Sequence, residues 1–239
     1  MVEAADADPR DVVLEIGPGL GILTRELVRV AGRVVAVEVD RDLAGVLHGA
    51  LGSPENLQVV QADALKLDLG SVIAEPYLAV ASLPYHIATP LIFKLAFSPP
   101  RPRRIVAMVQ EEVARRLAPG QGATSYLSVA IATVAEARIV RRVSPGCFFP
   151  MPKVRSAVVR LDLRPEPTIG PALVEDFLAF LRAGFTQPRK QLHNSLSQGL
   201  ALAPAAVQAR LRDVGVDPSQ RPGQLSPGAW VRLFRAWSD

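Results

Sequence analysis

Cysteine is almost absent from the chain. The single residue, Cys147, excludes an internal disulfide and a thiolate zinc cluster, and its simplest use is as a small apolar residue in a turn. Histidine is nearly as scarce. His48, His86 and His193 stand far apart without metal-ligand spacing, so no metal is expected. No apolar run reaches the ~20 residues that a membrane-spanning helix needs. The opening Met1-Val2-Glu3-Ala4 carries no signal-peptide pattern. These absences lead us to expect a cytoplasmic protein with no membrane partner. Acidic residues thin out toward the end. From Arg138 onward fifteen Lys and Arg face seven Asp and Glu, a net of +8; before it, twelve face sixteen, a net of −4. A basic second part on a mildly acidic first part points to a polyanionic partner, although a solvated basic surface accounts for the same count.

What is present suits a globular chain. At 239 residues, with 49% hydrophobic and 21% charged, it can bury a full core and hold one large and one small domain. Met1 to Asp11 is polar and short, a poor candidate for a packed element. Val12 to Ile16 then read as a buried strand, broken only by Glu15. Gly17, Gly19 and Gly21 follow and let the backbone turn sharply and approach a ligand. Leu20 to Val30 read as the next helix. Strand, glycine loop and helix together open a nucleotide-binding α/β domain. A dinucleotide fingerprint places its third glycine five positions after the first; that position is Ile22. The pattern Glu-x-Gly-x-Gly-x-Gly fits S-adenosylmethionine better than NAD. The second strand, Val34 to Val39, carries Glu38 about 20 residues beyond the glycines, where an acid suits a ribose diol. Asp40 suits the turn after it.

Alternation continues along the chain. Strand Leu57–Gln61 ends at Asp63, whose carboxylate suits either the adenine amine of a cofactor or a local cap. Strand Leu78–Ala81 runs into Ser82-Leu83-Pro84-Tyr85, ahead of a helix near Thr89–Ala96. An aryl amine is a poor nucleophile because its lone pair is delocalised into the ring. Acceptors on its two hydrogens favour a pyramidal nitrogen. The Ser82 hydroxyl and Leu83 carbonyl suit that task, Pro84 fixes their loop, and Tyr85 offers a face for a flipped base. A plain strand-to-helix turn explains the same residues less fully. Strand Ile105–Val109 and helix Glu111–Leu117 follow, then a helix near 126–134 and two closing strands, Ala137–Val143 and Ala157–Leu163. The strand–helix alternation predicts a parallel sheet with helices on both faces, and ligands bind outside the carboxyl ends of such strands. Gly17, Glu38, Asp63 and Ser82 all fall at such ends. Between the closing strands, Phe148 suits either stacking on a target base or plugging a long loop. After the linker Arg164-Pro165-Glu166-Pro167 the pattern is wholly helical. There Arg189 and Lys190 suit either phosphate binding or the capping of a helix.

With these residues in view, the chain resembles the ribosomal RNA adenine dimethylases, relatives of the macrolide-resistance rRNA methyltransferases. The resemblance runs from Asp11 to Trp237. It rests on Glu15-Ile16-Gly17-Pro18-Gly19-Leu20-Gly21, Val37-Glu38-Val39-Asp40-Arg41-Asp42-Leu43, Gln61-Ala62-Asp63-Ala64 and Leu83-Pro84-Tyr85 with Thr89-Pro90-Leu91. It also rests on Phe148 with Pro150-Met151-Pro152-Lys153-Val154, on Phe185 with Arg189-Lys190 and Asn194, and on Leu225-Ser226-Pro227. It implies a Rossmann-like class I methyltransferase sheet at 1–164 and a small helical RNA-binding domain at 165–239. It implies S-adenosylmethionine held by Gly17, Gly19, Glu38, Asp63 and Ser82. The implied reaction is dimethylation of N6 on two adjacent adenosines near the 3′ end of small-subunit rRNA during ribosome assembly, by a monomer. Three departures stand out. Ser82 and His86 replace the usual Asn residues, and Arg155 replaces a usual Asp. The family's basic arm, whose Gln-Asn-Phe-Leu closes over the cofactor, precedes the point where this sequence starts, so a short start or weakened cofactor binding is expected. A non-catalytic RNA-binding assembly factor on the same fold is the alternative; an NAD oxidoreductase is disfavoured by Ile22.

Overall fold

The computed structural model describes residues 1–120 and 122–238, with the side chains of Tyr85 and Ser238 outside the description. The chain divides into two compact units. The first comprises Met1–Arg115 and Glu136–Pro165; the second comprises Arg116–Ala135 and Glu166–Asp239. Among the described residues no helix is long and apolar enough to cross a membrane.

The first unit opens with α1 (Val2–Ala5), a segment expected to be unpacked. Ala5 is in fact fully buried, and α1 packs against the middle of the sheet. Its orphan carbonyls explain why so short a helix holds. Arg104 Nη1 donates to the Ala5 carbonyl at 2.5 Å and Arg160 Nη1 to the Ala4 carbonyl at 3.2 Å. No local pattern in residues 1–11 announces those distant arginines.

The strands follow the hydrophobic runs closely. They are β1 (Val12–Ile16), β2 (Arg33–Glu38), β3 (Leu57–Gln61), β4 (Tyr77–Ser82), β5 (Arg104–Gln110), β6 (Ala135–Val143) and β7 (Ser156–Leu163). They form one sheet in the order β3-β2-β1-β4-β5-β7-β6. Strands β1 to β5 pair in parallel, whereas β7 runs antiparallel to β5. The reversal departs from an all-parallel expectation. A loop without a crossover helix joins β6 to β7, and parallel neighbours need such a crossover. Helix α2 (Ile22–Val30) joins β1 to β2, α3 (Arg41–Ala50) joins β2 to β3 and α4 (Tyr85–Phe97) joins β4 to β5, while α5 (Glu111–Leu117) follows β5. Leu27 of α2 and Leu47 of α3 bury against Val13, Val34, Ala36, Leu78, Val80 and Val106. From β1 the chain winds outward through β2 and β3, then returns to place β4 on the other side of β1. The loops after β1 and β4 therefore part and leave a crevice at the carboxyl edge.

The second unit is helical: α6 (Tyr126–Ala132), α7 (Val174–Gly184), α8 (Leu192–Leu200), α9 (Pro204–Asp213) and α10 (Pro227–Ser238). The sequence pattern groups 116–135 with the sheet. Hydrogen bonds tie it here instead: Thr168 N donates to the Thr133 carbonyl, and Thr124 Oγ1 to the Leu225 carbonyl, both at 2.8 Å. The core is aromatic. Trp230 is fully buried, stacks on Phe185 with centroids 5.1 Å apart, and meets Phe180 edge-on at 6.1 Å. Gly199 permits the α7–α8 approach, because a β-carbon there would lie 2.5 Å from Ala183 Cα.

Candidate active site

The glycine loop leaves β1 with Gly17 at φ 70°, Gly19 at φ 55° and Gly21 at φ 78°, conformations that a side chain disfavours. Gly17 N donates to the Val37 carbonyl at 3.0 Å, which ties the loop to β2. The third glycine has a packing role as well: a β-carbon at Gly21 would come 2.7 Å from Leu47 Cδ1 of α3. Glu38, at the end of β2, is buried although charged. Its Oε2 accepts from Gly19 N at 3.1 Å and its Oε1 from Asp40 N at 3.0 Å. One carboxylate thus braces two loops, a task its distance from the glycines did not reveal. Asp40 caps α3, its Oδ1 accepting from Asp42 N and Leu43 N.

The loop after β4 faces this one. Ser82 pairs with Met108 in the sheet register, and a β-carbon on Gly17 would lie 3.7 Å from the Ser82 carbonyl. Helix α4 starts at Tyr85, earlier than the expected Thr89, with Pro84 at its N-cap. Pro90 lies inside the helix, as it does in the expected one, and Pro84 is accommodated at the cap. Leu83 is buried. The Tyr85 side chain, proposed from sequence as a stacking face, lies outside the described residues.

Ile16, Gly17, Gly19, Val37, Glu38, Val39, Ala62, Asp63, Ala64, Leu65, Ser82, Pro84, His86 and Ile87 enclose a cavity of about 460 Å³. Gly17, Gly19, Glu38, Asp63, Ser82 and Pro84 are therefore brought together; Leu83 and Phe148 are not among these lining residues. Phe148 is half-buried, its N–H donating to the Pro145 carbonyl at 3.1 Å. Asp63 makes the local cap, its Oδ1 accepting from Leu65 N at 2.9 Å, and it also lines the cavity. Arg189 and Lys190 lie in the second unit, exposed, in the turn before α8, which starts at Leu192.

Two contributors escape sequence reasoning. Lys94 of α4 donates to the Ala64 and Leu65 carbonyls at 2.9 Å and to the Leu67 carbonyl at 2.5 Å, and so holds the loop after β3. Its only signal is a lone cation in an apolar helix. Glu15 is the other. Burial pushes its carboxyl up to about 7; the Thr24 hydroxyl opposes the rise without reaching hydrogen-bond geometry, and the Glu38 charge adds to it.

The cavity has two carboxylates and apolar walls, and no Lys or Arg among its described lining residues. Such a site accepts hydroxyl and amine donors and tolerates positive charge. The chain also has well-defined relatives. A model of the family "Ribosomal RNA adenine dimethylase" matches residues 1–239. A protein of Syntrophotalea carbinolica named Ribosomal RNA small subunit methyltransferase A is 42% identical over 229 residues, 93% of this chain and 84% of that one. Its namesake from Dehalococcoides mccartyi is 36% identical over 236 residues, 98% and 81% of the two chains. The crystal structure of the 23S rRNA methyltransferase ErmE aligns with TM-score 0.78 and 32% identity, covering 100% of this chain and 95% of that one. A dimethyladenosine transferase from Plasmodium falciparum aligns with TM-score 0.82 and 25% identity, covering 97% and 91%. With the family's model matching from end to end, the chain belongs to the ribosomal RNA adenine dimethylase family.

Proposed function

We propose that this chain transfers methyl groups from S-adenosylmethionine to N6 of two adjacent adenosines near the 3′ end of small-subunit rRNA, as a cytoplasmic monomer acting on the assembling subunit. The supporting observation is the convergence of Gly17, Gly19, Glu38, Asp63 and Ser82 on one cavity at the crevice between β1 and β4. The residues fit the cofactor: Glu38 offers acceptors to a ribose diol, Asp63 to an adenine amine, and the described lining residues include no Lys or Arg. Family membership supports methylation of rRNA adenine. Residues 1–164 would then serve the cofactor. Residues 165–239, with Arg189 and Lys190, would serve the RNA.

When bound, S-adenosylmethionine supplies an electrophilic methyl group on a sulfonium. The protein's share is to place the amine and keep its lone pair available. Ser82 Oγ and the Leu83 carbonyl accept the two N6 hydrogens and favour a pyramidal nitrogen aimed at the methyl group. Each transfer would leave a cationic N6 that releases one proton to solvent; after the first a single N–H remains, so one acceptor suffices for the second. Pro84, with φ −55° at the α4 cap, fixes the direction of both acceptors. Tyr85 and Phe148 are the proposed stacking faces for the extruded base.

The test is methyl transfer to small-subunit particles that lack these methyl groups. Ser82→Ala should lower turnover by about 10-fold or more with a smaller change in cofactor affinity. Ser82→Asn should preserve or raise turnover. Binding to the particles without any transfer by the unsubstituted chain would select the alternative, an RNA-binding assembly factor, and remove the catalytic roles.

A further inference from the structure

We propose that the loop between β6 and β7 carries an RNA contact of its own. Phe149 and Met151 form an apolar tip that takes an unpaired nucleobase beside the methylated one, while Lys153 and Arg155 meet the flanking phosphates. The proposal rests on the rRNA reading above and names a surface for it.

Exposure is the first observation. Phe149 is fully exposed, at 103%, Met151 at 70% and Val154 at 44%. Three large apolar side chains within six residues form a patch rather than a scattered surface residue. Charge is the second. From Ala137 to Leu161 the sequence has six Lys and Arg and no Asp or Glu. Two of the six are engaged, Arg142 with Glu111 and Arg160 with Asp162. Lys153 and Arg155 are exposed and form no ion pair among the described residues.

Placement is the third. Ser156 opens β7 opposite Gln110, the last residue of β5. Ser82 lies opposite Met108 on the same β5. The loop therefore stands at the carboxyl edge of the sheet, where the cavity opens. One end is tied to the start of α5, where Glu111 N donates to the Arg155 carbonyl at 2.9 Å; the other is folded into a tight turn, Cys147 N and Phe148 N donating to the Ser144 and Pro145 carbonyls at 3.1 Å. The tip is presented between that turn and that tie.

The chemistry selects the occupant. A second copy of this segment would bring the same six cations and repel it. An unpaired nucleotide offers a flat apolar face and an anionic linkage within one residue, matching an aromatic next to a lysine. Phe149 is distinct from Phe148, the half-buried residue proposed for the target base.

The experiment compares the unsubstituted chain with Phe149→Ala, Met151→Ala and Phe149→Trp. The probes are an unstructured oligoribonucleotide and small-subunit particles. Phe149→Ala should weaken RNA binding about 5- to 100-fold, the range expected for one stacked base, with unchanged melting temperature and S-adenosylmethionine affinity. Phe149→Trp should retain RNA affinity, and the introduced indole should be quenched as RNA saturates it. Unchanged RNA affinity in Phe149→Ala, or an unquenched indole at saturation, overturns the proposal. So does self-association that Phe149→Ala abolishes while RNA affinity stays constant. If methyl transfer proceeds normally in Phe149→Ala with unaltered RNA affinity, this surface fails and the enzymatic reading stands. If no chain transfers methyl groups yet Phe149→Ala loses RNA, the enzymatic reading fails and the surface stands.

Discussion

Glu15 sits on β1 with both carboxylate oxygens buried and without a hydrogen-bond partner among the described residues, as is the hydroxyl of Thr24 on α2. Desolvation raises its carboxyl from 4.5 to about 7. The native state therefore holds a proton that the unfolded chain has released between those two values. Stability must fall as pH rises from about 4.5 through 7, and the full penalty is present above 7. Glu15→Gln removes this titration. Relative to the unsubstituted protein, the variant should gain on the order of 1–3 kcal/mol in urea unfolding at pH 8 compared with pH 5. An equal difference at both pH values would show that Glu15 does not titrate in the fold. Glu38 presents the opposite case, a buried carboxylate with both oxygens engaged. It was legible from sequence as an acid at a strand end. Its bracing of Gly19 and Asp40 was not, because those bonds depend on loop conformations set by positive φ at the glycines. Glu38→Ala should cost about 1–3 kcal/mol of S-adenosylmethionine affinity by calorimetry, and should also lower the melting temperature. A loss of affinity with unchanged melting temperature would mean that the brace is unimportant.

At the scale of elements, Lys94 connects α4 to the loop that carries Asp63. Three carbonyls, those of Ala64, Leu65 and Leu67, converge on its ammonium. Lys94→Met keeps most of the side-chain volume and leaves these acceptors without their donor. The expected result is a loss of about 1–3 kcal/mol in stability, with faster amide exchange in residues 64–67. Exchange unchanged in that loop would place its order elsewhere. This connection also marks the boundary of what the sequence discloses. Strands β1, β3 and β5 were readable to within a residue because continuous apolar runs between polar turns leave little choice. Helix α4 was placed four residues late, since Pro84 reads locally as a loop residue but is tolerated at the cap of a helix that starts directly after it. Helix α1 was missed because its stability comes from Arg104 and Arg160, about 100 and 155 residues away in sequence. Four of the cavity's residues were found because their strands end at one edge. The residues that hold the loops there carry no local signal.

For the whole molecule, charge is divided along the chain: −4 before Arg138 and +8 from it onward. The carboxylates of Glu38 and Asp63 belong to the acidic stretch, and Lys153, Arg155, Arg189 and Lys190 to the basic one. A cofactor site and a polyanion surface with these opposite characters should respond differently to ionic strength. Phosphates neutralised by Lys and Arg release condensed counterions, so each contact steepens the dependence of RNA affinity on salt. If at least three contacts form, the slope of log affinity against log salt should be about −2 or steeper for single-stranded RNA. On the proposed reading, in which neutral donors of S-adenosylmethionine meet the two carboxylates in a mostly apolar cavity, cofactor affinity should change much less over the same range. The paired measurement is fluorescence anisotropy of labelled RNA and calorimetry of the cofactor from roughly 50 to 200 mM salt, the range in which counterion release is large. Lys153→Ala with Arg155→Ala, and separately Arg189→Ala with Lys190→Ala, should each flatten the RNA slope by about one to two units while leaving the cofactor curve in place. RNA affinity indifferent to salt would remove phosphates as the leading contacts. A flattened slope from only one pair would identify which basic segment carries the RNA.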